Sequence, residues 1–208
     1  MSTTNSIPRG QLKEAIIQYA LTYVEKNGYR DLNLDNISRD LNVSHGAPYR
    51  HFKAKIDLLA SLALHGFNDL YETQAEFLSR YPDGSREQLV ALSEAYVDFL
   101  VRREHLYDVM WDFTWTPEIH QETAVAGRRT FMTHSGAVKA YIHGRGLDPG
   151  LQDEMTMNVW AFLHGLAVLA LHKTAIVRPT PERLTMLVRS GMQAMLDGYD
   201  QMSLKQLH

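Results

Sequence analysis

The chain has 208 residues, 45% of them hydrophobic and 22% charged, enough apolar mass for a sizeable core and too much for a disordered segment. It contains no cysteine, which excludes disulfides, thiolate zinc sites and cysteine nucleophiles. The net charge of −3 conceals a split: residues 1–55 carry eight Lys/Arg against five Asp/Glu, and the remainder carries thirteen against nineteen. A basic head on an acidic body suits a head that meets phosphate.

Helical periodicity runs through nearly every segment, and no stretch sustains strand alternation. Leu12, Ile16, Tyr19, Ala20, Tyr23 and Val24 form one stripe of a first helix, about 9–26, ended by Asn27-Gly28. A second helix begins behind Asn33, a good N-cap, with Leu32 and Ile37 placed as a hydrophobic staple; Leu34, Ile37 and Leu41 are its core face. Asn42 tolerates the left-handed conformation a tight turn needs, and Ser44 is placed to cap a third helix. A long fourth helix covers about 54–79 and breaks at Tyr81-Pro82-Asp83-Gly84. Ser85 with Gln88 is a capping-box start for the fifth, to about Arg103, and a short aromatic helix follows within 104–115. Three more run over about 119–143, 149–174 and 181–199, the last two opened by Asp148-Pro149 and Thr180-Pro181. The expected count is nine helices, with no internal repeat. The polar N-terminal residues lack the apolar core of a secretory leader. Val159–Leu171, the longest apolar run, is thirteen residues and reads as a buried helix, too short for a bilayer span. A cytoplasmic protein with no membrane partner is expected.

A helix-turn-helix needs a braced first helix, a tight turn, and a second helix whose N-terminal residues reach base edges. Val43-Ser44-His45-Gly46-Ala47-Pro48-Tyr49-Arg50-His51-Phe52 follows the short Leu34–Asn42 segment in that order. Gly46 and Ala47 are small where the backbone comes close to bases. Tyr49, His51 and Lys55 can contact phosphates, and the helix starts at Asn33 and Ser44 offer backbone N–H groups to them. With Gly28, Leu34 and Ile37 included, this pattern over about residues 10–60 resembles the N-terminal signature of the tetracycline-repressor (TetR) family. Trp160-Ala161-Phe162-Leu163-His164-Gly165 is similar to the Trp…His-Gly (WHG) class of C-terminal domains in that family.

The resemblance implies an all-α, nine-helix TetR-like fold. Residues 1–53 would form a three-helix helix-turn-helix DNA-binding domain, joined by a long helix to an effector-binding and dimerisation domain, 54–208. It implies a homodimer on double-stranded DNA with a palindromic operator, most simply a repressor released by a small-molecule effector. By position, Asn33 and Ser44 touch phosphates, His45, Gly46 and Ala47 face bases, and Tyr49, His51 and Lys55 meet phosphates, with Arg50 on the same surface. Three positions depart from the family pattern: His45 where lysine is common, Pro48 in place of an aliphatic residue, and Ala54 where a Ser or Asn cap is frequent.

In the body, the eighth helix is apolar nearly all round, so it needs cover on more than one side. Ala161, Gly165 and Ala170 permit close helix approach, and Leu184, Leu187, Val188, Met192 and Met195 offer a matching face on the ninth. The resemblance makes these two helices a dimer interface; the alternative is that they complete a monomeric core. Tyr107, Met110, Trp111, Trp115, Phe131, His134, Trp160 and His164 are candidates for an adaptable pocket, implying an apolar or aromatic effector. No cofactor is expected. His164 and His172 lie two turns apart, too distant to chelate alone, so no metal site is predicted. No nucleophile elbow, phosphate-cradling glycine loop or marked pair of acids points to catalysis. Two other readings stay open: a DNA-binding or helical interaction protein without an effector, and an enzyme using the aromatic cavity.

Overall fold

In the computed structural model, residues 7–8, 10–111, 116–172 and 178–205 are described, and among them all regular structure is helical. Eight α-helices follow in order: α1 Leu12–Asn27, α2 Leu34–Asp40, α3 Lys55–Ser79, α4 Arg86–Arg102, α5 Glu104–Met110, α6 Gln121–Arg145, α7 Gln152–Leu171 and α8 Pro181–Lys205. A 3-10 helix, Pro48–Arg50, takes the place of the expected third α-helix; a second, Pro149–Leu151, leads directly into α7. The chemistry that sets the helix ends is the one expected. Ser85 Oγ accepts from Gln88 N at 3.1 Å, while Gln88 Oε1 accepts from Gly84 N at 3.0 Å. Asp148 Oδ1 accepts from Gly150 N at 2.9 Å, and Thr180 Oγ1 from Arg183 N at 3.3 Å. Ala54 lacks a capping side chain, yet Asp57 Oδ2 accepts the Ala54 N–H at 3.0 Å and supplies the far half of a capping box.

The chain divides into two units, Met1–Phe67 with Arg103–Ala126, and Asn68–Arg102 with Gly127–His208. In the first, α1 buries Ile16, Ile17, Ala20 and Val24, and α1 packs on α5, which contributes Leu106 and Val109. Leu34, Ile37, Phe52, Leu58 and Leu62 complete this core. Each such side chain contributes about 1.5–3 kcal/mol by leaving water. Packing in this unit is tight at Gly66, where a Cβ would lie 2.6 Å from the Met110 sulfur.

In the second unit, α4 is the centre: it packs on both α7 and α8 and buries Leu89, Leu92, Tyr96, Val97 and Leu100. Ala170, Leu184, Val188 and Met192 were placed by the sequence on a face toward a second subunit; they are buried inside this chain's own core, at 3%, 5%, 1% and 0% exposure. Apolar α4, which packs on both α7 and α8, supplies cover for these helices from within the same chain. Ala161, Gly165 and Leu187 remain on the surface, and Met195 is half-buried. Glycine lets α8 approach α7: a Cβ at Gly191 would fall 2.2 Å from the Phe162 ring. Arg86 of α4 reaches Asp197 at 2.6 Å and Asp200 at 3.3 Å on α8, and Tyr141 of α6 donates to Asp200 at 2.8 Å. Counted from Pro149 rather than Val159, the apolar segment to Leu171 is long and apolar enough, by length and composition, to cross a membrane. In this fold its Met155, Val159, Leu163 and Ala167 are buried in protein.

Candidate functional site

The first group of candidate residues lies around α2. Asn33 has an extended backbone, and its Oδ1 accepts from Asn36 N at 2.7 Å, so it caps α2 as expected. Leu32 and Ile37 are both buried, as the staple requires. After α2 the chain turns through Asn42 at φ 53°, and Val43 N bonds back to Ser38 O at 2.9 Å. The segment that follows is tighter than an α-helix. Pro48 has no N–H to return a bond to Ser44 O, and that carbonyl accepts from Ala47 N at 2.8 Å instead. Ser44 is therefore a turn residue, not the cap of an α-helix. Ala47, read as facing bases, is 7% exposed and packs inward.

His45, Gly46, Tyr49, Arg50 and His51 are all exposed, and two of them converge on Asp35. His45 Nε2 lies 3.0 Å from Asp35 Oδ1, and Tyr49 donates its hydroxyl to the same oxygen at 2.8 Å. The two rings stack with centroids 5.9 Å apart. The hydrogen bond to the Asp35 carboxylate holds the Tyr49 phenol above its ordinary pKa, so it stays a neutral donor. Lys55 donates to Arg30 O and sits over the Tyr29 ring, 5.9 Å from its centroid. Nearby, Tyr19 donates to Asp40, which pushes its pKa up to about 12. Asp35 was not singled out in the sequence: a lone acid in the first turn of a helix reads as ordinary dipole complementarity.

The aromatic candidates fall into two groups. Tyr107 and Trp111 stack at 4.9 Å, and Trp111 meets Phe67 edge-on at 5.4 Å; with buried Met110 they belong to the first unit. Trp115 lies outside the described residues. The second unit joins the other four. Phe131 meets Trp160 edge-on at 5.9 Å, and Trp160 stacks on His164 at 5.2 Å. His164 Nδ1 is 3.1 Å from the Tyr96 hydroxyl, and Tyr96 meets the His134 ring edge-on at 5.2 Å. Gln74 Nε2 donates to His134 Nδ1 at 2.9 Å. Burial pushes the His134 pKa down to about 4 and lowers that of His164, so both rings are neutral at neutral pH. Gln74 and Tyr96, the linking members, were absent from the sequence reading. Each is brought to its histidine from more than fifty residues away, and no local pattern carries that. Among the described residues, no three His, Asp or Glu gather to hold a metal ion.

Comparison with known proteins adds the family. Residues 89–195 match the family model described as "Tetracyclin repressor-like, C-terminal domain". The uncharacterized HTH-type transcriptional regulator YobS of Bacillus subtilis is 24% identical over 99 residues, 48% of this chain and 51% of that protein. The chain thus spans about half the length of that curated relative. Among solved structures, a protein of unknown function from Rhodococcus sp. RHA1 superposes with a TM-score of 0.80 at 24% identity, covering 94% of this chain and 99% of that one. The transcriptional regulator FadR of Bacillus subtilis, solved in complex with stearoyl-CoA, superposes with a TM-score of 0.67 at 19% identity over 89% and 98% of the two chains. The TetR family regulator PfmR of Thermus thermophilus does so at 0.62 and 18%, over 87% and 93%. These likenesses fix the fold.

Proposed function

This chain belongs to the TetR family of transcriptional regulators, and from that premise we propose that it is a homodimeric, effector-controlled repressor of a palindromic operator. Residues 1–53 form the DNA-binding head and 54–208 the effector-binding and dimerisation body. The observation that carries the reading is the exposed row His45, Gly46, Tyr49, Arg50 and His51, presented by a tight turn directly after capped α2. In a complex, Arg50 and His51 meet phosphates directly, while His45 and Tyr49 exchange Asp35 for DNA. The basic balance of residues 1–55 supports a phosphate partner.

Dimerisation is supported by the surface of α7 and α8. Met157, Ala161, Gly165 and Leu169 recur every fourth residue on α7 and are exposed, and Met186 and Leu187 are exposed on α8. Two heads held about 34–36 Å apart fit successive major grooves. An effector in the body that prefers a different arrangement of the heads withdraws them from DNA by shifting the population. Continuous α3 carries Lys55 at its start and Gln74 near its end, which supports coupling along one helix. That FadR was solved with stearoyl-CoA supports ligand holding by this fold. The test is an operator-binding titration after selection of bound genomic fragments. A palindromic site bound by two chains, with affinity lowered by a compound that also stabilises the free protein, is expected. Binding of one chain to one half-site, unaffected by any stabilising compound, overturns it.

A further inference from the structure

Four buried polar atoms in the second unit have no hydrogen-bond partner among the described residues: Arg86 Nε, whose guanidinium is already paired with Asp197 and Asp200, and Gln74 Oε1, His134 Nε2 and Thr156 Oγ1, which have no such charge partner. The side chains of the last three are 0%, 1% and 3% exposed. Buried polar groups in folded proteins are paired almost without exception, so orphans gathered in one place point to a missing partner. Two of them belong to one contact, since Gln74 Nε2 donates to His134 Nδ1 at 2.9 Å. The third lies on the adjoining helix. Gln152 of α7 reaches Ser135 of α6, and Trp160 of α7 meets Phe131 of α6, so the two helices run antiparallel, and these two contacts bracket Thr156 on α7 and His134 on α6.

The chemistry of the pair is fixed by its one bond. An amide nitrogen only donates, so His134 Nδ1 accepts and the ring proton resides on Nε2. His134 thus holds out an unfilled donor, and Gln74 Oε1 an unfilled acceptor. Turning the Gln74 amide over exchanges the two roles and leaves the same complement, one donor and one acceptor. Thr156 adds a hydroxyl that serves either way. Phe131, Trp160 and the neutral His164 supply apolar, flat surface beside it. Because His134 is neutral, an ionised ligand group would meet only dipoles here and bear its desolvation uncompensated.

We propose that Gln74, His134 and Thr156 form the polar end of the effector site, and that it takes an uncharged, mainly apolar molecule bearing a hydroxyl or primary amide that both donates and accepts. The assignment rests on the reading of the second unit as an effector-binding body. The ligand hydroxyl or amide N–H donates to Gln74 Oε1, its oxygen accepts from His134 Nε2, and Thr156 fills the remaining lone pair or proton.

The test uses the full-length dimer and a matched aromatic set: naphthol, naphthamide, methoxynaphthalene and naphthylmethylammonium. Binding to the free protein is measured by calorimetry, and operator binding is followed in the same titrations. Naphthol and naphthamide are expected to bind at least about tenfold more tightly than the ether and the ammonium compound. That preference is expected to vanish in Gln74→Leu/His134→Leu, a pair of apolar replacements that leaves no new orphan and keeps the melting temperature near wild type. Equal affinity across the set, retention of the preference by the double variant, or no binding by any member overturns the assignment; the wild-type series decides even where the variant does not fold. The preference without any change in operator binding upholds the site and overturns the switch. Release from DNA by all members without preference upholds the switch and overturns the site.

Discussion

Around α2, polar side chains face outward and lean on one another, with His45 and Tyr49 both resting on Asp35 at the surface. In the second unit, polar side chains face inward, and Gln74, His134 and Thr156 are left with unfilled valences in an apolar core. The difference is one of cost. At the surface, water stands ready to replace any intramolecular bond, so the Asp35 contacts are cheap to break when a phosphate or base arrives. Inside, each orphaned atom costs about 1–3 kcal/mol until something fills it. On the proposed reading, the head is built to exchange partners, and the body to be completed by one.

The comparison breaks most visibly at the proposed subunit surface. Gly165 is exposed, with nothing within 4 Å of a built Cβ, so Gly165→Arg leaves the chain's own core intact. In sedimentation it is expected to be a monomer, with operator affinity lowered on the order of a hundredfold or more through loss of the second head. A full-affinity dimer would place the interface elsewhere. Gly84→Ala attacks the body instead. At φ +70°, a Cβ there lies 2.5 Å from the Ala140 carbonyl oxygen, a backbone atom that cannot move aside. Chemical denaturation should find a loss of roughly 2–4 kcal/mol.

Acid sharpens the contrast through His134. Its folded pKa of about 4 lies below the unfolded 6.5. As pH falls from 6.5 toward 4, the unfolded chain takes up a proton that the folded chain refuses. Stability therefore drops across that window, by about 3 kcal/mol for this group alone when complete. His134→Phe is expected to flatten the decline, and an unchanged slope in urea melts would remove the buried, neutral ring from the account. The smallest effect belongs to the head. Asp35→Asn removes a negative charge from the proposed DNA-facing surface and loosens His45 and Tyr49. Affinity for non-operator DNA at low salt should rise roughly twofold to fivefold, and the gain should fade as salt is raised. Reduced affinity would mean that Asp35 positions the two rings for DNA.

The head was legible because its signals are local. The Asn33 cap, the staple and the left-handed Asn42 each act within a few residues, and these three stand where the sequence puts them. What failed there was the helix behind Ser44: Pro48 removes one backbone donor, and in so short a segment that suffices to trade an α-turn for a 3-10 turn. Ala47 followed it inward. The body was legible as helices and far less as a site. Apolar periodicity marks which face of α7 or α8 is buried but not by what. Ala170, Leu184, Val188 and Met192, read as facing another subunit, are buried within this chain, where α7 and α8 pack on α4 and on each other. The polar chain through Gln74, Tyr96, His134 and His164 joins helices across sixty to sixty-eight residues of sequence. Nothing in the spacing of a single helix announces such a pairing.

The central claim is a paired DNA reader carried by the head. Selection of genomic fragments bound by the full-length protein tests it most directly, since it assumes neither operator nor effector. The account predicts one enriched motif, a palindrome whose half-site centres are about one helical turn apart, bound by two chains. A fragment pool without an enriched motif, or enriched only for single unpaired half-sites, would contradict it.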